Sequence, residues 1–204
     1  MNDTFSEADL EPSPAARSAK RRDLIDRAAG TVGAIAAGTI AGGMLALGAC
    51  AAPAVFKLAP APFSGTAMGD AFARFDRLAI GAACVALAAE VVRTFLARGS
   101  RPSIGARIRR LSGIALAGCT AVMGLSLSPS IIDLHLEGAQ RGQGELGAKL
   151  DAIHKRAETV GKLEVALGFA LVGLHLFTVR QRKLEEDEEN ALAPLPPGPP
   201  AAAD

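Results

Sequence analysis

The 29 residues from Ala28 to Phe56 carry no charge, and the nearest charged side chains, Arg27 and Lys57, stand at the two ends of the run. About 20 residues of helix cross a bilayer core, so the run is long enough to span. Seventeen of its positions are Ala or Gly. A backbone in hydrocarbon must satisfy its own polar groups, which leaves helices or closed barrels, and an uncharged run of this length without alternation predicts a helix.

Three further apolar runs follow: the second of the four spans carries Glu90 and Arg93, the third is free of charge, and the fourth is uncharged only from Val165 to Val179. Further spans are expected at about Leu78–Ala97, Leu111–Ile132 and Thr159–Val179. Half of the 204 residues are hydrophobic and the mean hydropathy is positive, which fits one small membrane domain. The fold class expected is all-α: an integral membrane bundle of four transmembrane helices, residues 28–183, between polar termini. Residues 1–27 read as a flexible tail, and 184–204 as an acidic then Pro/Ala-rich disordered tail. Residues 57–77 read as a short polar connection with Pro60, Pro62 and Gly65 as breakers. Leu146, Leu150, Ile153, Ala157 and Val160 keep helical spacing and predict an amphipathic helix running into the fourth span.

Charge sets the orientation. Lys20, Arg21, Arg22 and Arg27 precede the first span, and no acid occurs between Glu90 and Asp133 while Arg93, Arg98, Arg101, Arg107, Arg109 and Arg110 accumulate. Basic flanks stay in the cytoplasm, so both termini are expected inside a bacterial inner membrane, with the connections near Pro60 and Gly144 outside. The net charge of +1 conceals this segregation and gives no sign of nucleic-acid binding. With no Trp and no Tyr, the usual aromatic belts are missing. A remote alternative is a lipoprotein cleaved before Cys50, since Leu47, Gly48, Ala49, Cys50 has that form. The ~22 apolar residues before it exceed the 7 to 15 of signal peptides, which favours an uncleaved span.

Four short motifs bring a family into view. They are Ala52, Pro53, Ala54, Val55, Phe56 closing the first span; Gly65, Gly69, Phe72, Arg74, Phe75, Asp76 entering the second; Leu127, Ser128, Pro129 closing the third; and Ile153, His154, Lys155, Arg156 leading into the fourth. In this order, over roughly Gly30 to Arg180, the chain resembles the transmembrane protein 205-like membrane proteins, whose bacterial members are known mainly as a domain of unknown function. Ser130 stands where that pattern has a basic residue, and Ala157 where it has Ser. The resemblance implies a four-helix membrane protein with an uncleaved first span, and it implies no substrate.

Few residues could carry function. Glu90 is an ionisable group within a span, a functional candidate by default, although it can also pair with Arg93 three residues on and anchor the helix. His154, Glu158 and Lys162 share a face at four-residue spacing, and Glu164 lies just beyond them, so this entrance to the fourth helix could bind an anion or relay protons, or be a solvated helix end. Small residues recur every fourth position in the first span, and the central pair, Gly38 and Gly42, is the expected packing contact. His175 is the only intramembrane histidine, so a bis-His haem is not expected. Cys50, Cys84 and Cys119 read as small packing residues rather than copper ligands. No nucleophile with a base beside it, metal-ligand spacing or phosphate loop is legible, so neither an enzyme nor a cofactor is expected. Two functions remain: a membrane protein that handles a small solute or ion or serves as a resistance or efflux accessory, and a structural or interaction subunit that packs with a membrane partner or a second copy through its Gly-rich first helix.

Overall fold

The computed structural model describes residues 13–60, 63–98 and 102–192, of which 179–192 are described by backbone alone. Four long helices account for nearly all of them, and no strand occurs among the described residues. They are α1, Pro14–Leu58; α2, Phe63–Leu96; α3, Ile104–Leu136; and α4, Gly144–Leu192. Each contains a stretch apolar and long enough to cross a membrane. They run alternately up and down, and each packs chiefly on two neighbours, so that α1, α2, α3 and α4 follow one another round a ring. The N-terminus of α1, the C-terminus of α2, the N-terminus of α3 and the end of α4 share one end of the bundle, called here the terminal end.

Every helix outruns the span expected from hydropathy. Residues 14–27 belong to α1 rather than to a flexible tail: Ser13 caps it, its hydroxyl accepting from the Ala16 N–H at 3.2 Å, and Pro14 takes the first turn, where a missing N–H costs nothing. Pro14 is thus a start signal within the stretch expected to be a tail. The second helix begins at Phe63, within the predicted connection, and α4 continues to Leu192 through the acidic stretch. Residues 1–12, Ala61 and Pro62, 99–101 in the basic loop, and 193–204 lie outside the described residues.

Two prolines leave a signature. Pro53 and Pro129 sit within α1 and α3, and each follows a π-helical turn, Ala46–Ala51 and Met123–Leu127. A proline removes one N–H and clashes with the carbonyl four residues back, and a wider turn relieves the clash. Accordingly the N–H of Ala52 bonds to Leu47 and that of Ser128 to Met123, five residues back.

The surface is apolar and the interior partly polar, the reverse of a water-soluble bundle. Val32, Ile35, Val85, Leu111, Leu125 and Leu176 are all exposed, an apolar coat that suits lipid. The core is small and tight, built on Ala37, Ile40, Ala79, Ala83, Leu116 and Leu171. Small residues let backbones approach. At Gly168 of α4, an added Cβ would lie 2.7 Å from the Ala41 Cβ and 3.1 Å from the Ala37 carbonyl oxygen of α1. At Gly43 it would strike the Phe75 ring, and at Gly33 it would lie 2.9 Å from His175 Nε2. The predicted pair sits beside this seam rather than in it: a Cβ on Gly38 would meet only Val172, at 3.8 Å, and one on exposed Gly42 would enter open space. A four-residue step drifts ~40° round the helix, and the tight positions follow the mixed three- and four-residue spacing of Gly33, Ala37 and Ala41 instead.

Candidate functional site, a charged chain inside the bundle

All four helices send ionisable side chains to one layer near the terminal end. Asp26 comes from α1, Glu90 and Arg93 from α2, Arg109 from α3 and His175 from α4. Glu90, Arg93, Arg109 and His175 are each less than a tenth exposed. Arg93 Nε donates to Asp26 Oδ1 at 3.0 Å, and its Nη1 lies 3.0 Å from His175 Nδ1. A guanidinium only donates, so Nδ1 is the acceptor and the ring proton of a neutral His175 sits on Nε2. That Nε2 faces Glu90 Oε1 at 3.6 Å, and Arg109 Nε donates to the same oxygen at 2.7 Å. Asp26, Arg93, His175, Glu90 and Arg109 therefore form one chain across the bundle axis. Two carboxylates face two guanidinium groups, an attraction that offsets part of the desolvation cost of burying them. One joint is loose: Glu90 Oε2 and His175 Nε2 have no hydrogen-bond partner. Gly30 and Gly33 on α1 leave the room that Arg93 and His175 occupy. A groove lined by Arg22, Asp23, Asp26 and Leu96 reaches the Asp26 end of the chain.

The expected intrahelical pair of Glu90 and Arg93 does not form. Both side chains face inward, but each finds a partner on another helix at hydrogen-bond distance, and a cross-helix guanidinium to carboxylate bond aligns better than a pair three residues apart. Glu90 lies six residues, about 9 Å, from the end of α2 at Leu96.

The residues singled out at the entrance to α4 separate. His154 is half-buried and stacks edge-on against His135 with ring centroids 6.2 Å apart. Glu158 and Lys162 pair with each other at 2.6 Å on an exposed face. Glu164 alone turns inward, with 1 % exposure, beside Thr120 of α3 and the buried Asp76 of α2. Eleven residues, about 16 Å, separate Glu164 from His175 along α4, and Ile40, Ala83, Leu116 and Leu171 fill the space between the two polar layers. Cys50 and Cys84 are exposed on the apolar surface and Cys119 is partly buried.

A family model described as a domain of unknown function, DUF4149, matches residues 35–140, just over half of the chain. The chain belongs to that family. The DUF4149 match holds most of α1 and all of α2 and α3, and with them Asp76, Glu90, Arg93, Arg109 and Thr120. Asp26 precedes it, and Glu164 and His175 follow it on α4. No curated protein and no solved structure matches the sequence.

Sequence reasoning reached Glu90 and Glu164 and missed the partners. Asp26 passed as part of a tail, Arg109 as one of many topogenic arginines, Asp76 as part of a polar connection, and His175 as a lone histidine. Depth was the available signal: Asp26, Glu90, Arg93, Arg109 and His175 all lie within a few turns of a span boundary on the same side.

Proposed function

We propose that this DUF4149 protein is a multi-pass protein of the bacterial inner membrane, with both termini in the cytoplasm, that handles a small ion or solute through its polar interior, alone or as an accessory to resistance or efflux. The observation that carries the reading is the position of Glu90, turned into the bundle against Arg109 and His175 and away from the headgroups. An intramembrane charge is expensive, and its usual return is a path or a site. The groove at Asp26 gives this layer a mouth on the terminal side. The orientation rests on the basic flanks around Arg22 and Arg107. In the layer at the terminal end the acids and bases pair with one another, which supports a non-catalytic role for that layer. Closer kinship to the transmembrane protein 205-like proteins is part of the proposal and rests on the four motifs.

The test is ion flux in liposomes loaded with a pH-sensitive dye, under an imposed gradient of protons against potassium. The wild-type protein should dissipate the gradient faster than empty liposomes, and Glu90→Gln with Arg109→Gln, which neutralises the pair without stranding a charge, should abolish the difference. A leak equal to that of empty liposomes would remove the reading for ions. The second reading, a subunit that packs with a partner through its first helix, is favoured by Gly42, exposed with open space around it.

A further inference from the structure

The second polar layer differs from the first in having no cation. Asp76 of α2 and Glu164 of α4 are 4 % and 1 % exposed. The Ser128 hydroxyl of α3 meets Asp76, the Thr120 hydroxyl of α3 meets Glu164, and the two acids act on each other electrostatically. Cys119 of α3 is within electrostatic reach of Glu164, and the first helix contributes the uncharged Met44 beside Gly161, one turn before Glu164. Among the described residues, no guanidinium or ammonium group acts on either acid. Asp76 Oδ2 and Glu164 Oε2 are buried without any hydrogen-bond partner.

Two like charges at one apolar site cannot both stay ionised, and a carboxylate buried without a partner neutralises instead. The Thr120 hydroxyl donates to the Leu116 carbonyl at 3.0 Å, which leaves its oxygen able to accept from a protonated Glu164. The two unpartnered oxygens each expose less than 1 Å², so bulk water does not reach them.

We propose that Asp76 and Glu164 form a proton-binding site in the middle of the bundle, separate from the charged chain at the terminal end. The site is flanked by the π-helical turn Met123–Leu127, where the winding of α3 is already irregular. It stands whether or not the bundle moves a solute, because a proton held in a static protein satisfies the same chemistry.

Infrared spectroscopy of the full-length protein in lipid bilayers tests this. At neutral pH the wild type should show the carbonyl band of a protonated carboxylic acid, shifted in heavy water and unchanged by sodium or potassium at constant pH. The band should be lost in Glu164→Gln, in Asp76→Asn, or in both, and the variant that loses it names the holder. Both variants should fold as the wild type does, since an amide replaces a protonated acid nearly atom for atom. No such band in the wild type, a band that survives in both variants, bleaching by sodium, or failure of both variants to fold would each overturn the proposal. The liposome flux assay is independent: its failure leaves the infrared result standing.

Discussion

Arg109→Ala is expected to destabilise the bundle by about 3–5 kcal/mol, the cost of leaving a buried charge without its partner. Glu90 Oε1 would retain only the His175 ring at 3.6 Å, and Oε2 has no partner to begin with. The comparison that isolates the mechanism is Arg109→Met combined with Glu90→Leu. Buried ion pairs replaced by apolar side chains of similar volume are often neutral or stabilising, so the double variant should recover most of what Arg109→Ala loses. Unfolding of the purified protein by a denaturing detergent measures both. A double variant as unstable as the single one would mean that the pair does not act as a unit.

Gly168→Leu is expected to be the most damaging substitution of a small residue, at about 3 kcal/mol or more. Overpacking usually costs about 1–3 kcal/mol because neighbouring side chains can shift. Here one neighbour is the Ala37 carbonyl oxygen, part of the backbone of α1, and the other is the Ala41 Cβ, which has no rotamer to change. Relief requires α1 and α4 to part, and the contact lies two turns from His175 in the charged chain. Gly42→Leu is the control, since the same side chain there enters open space. Near-wild-type melting for Gly42→Leu with a large loss for Gly168→Leu is the expected outcome, and the reverse order would place the helix seam on the Gly38 to Gly42 ridge.

These two predictions mark what the sequence made legible. Four spans followed from apolar length, with the first and third uncharged throughout and the second and fourth carrying Glu90, Arg93, Lys162 and Glu164, because the bilayer imposes a dominant constraint and composition reports it directly. Helix ends did not follow, because hydropathy registers the bilayer and not the helix: Ser13 with Pro14 is a capping signal inside a polar, charged stretch, and Phe63 to Arg77 is helical although polar. Glu90 was legible as an intramembrane acid. Its partner was not, since Arg109 is 19 residues away and is one of six arginines between Arg93 and Arg110. Spacing within one helix offered Arg93, while the fold supplies a partner across helices. The same limit hid Asp76 from Glu164: the two lie on diagonally opposed helices and act on each other across the bundle axis. The Gly38 to Gly42 pair lies beside the seam within the bundle, which runs through the irregular spacing of Gly33, Ala37 and Ala41.

Everything above depends on four crossings that put the terminal end and the Gly144 end on opposite faces of the membrane. The direct measurement is labelling of single cysteines with a membrane-impermeant reagent in intact cells, on a background in which Cys50, Cys84 and Cys119 are replaced by Ala. Gly105→Cys reports the terminal end, where an added Cβ meets nothing closer than 4.0 Å, and Gln143→Cys reports the other, chosen over Gly144 because that glycine has φ +62°. Labelling of Gln143→Cys from outside, with Gly105→Cys reactive only after permeabilisation, is the expected result. Labelling of both positions from the same side would contradict the four-span architecture, and reactivity of Gly105→Cys alone from outside would reverse the orientation.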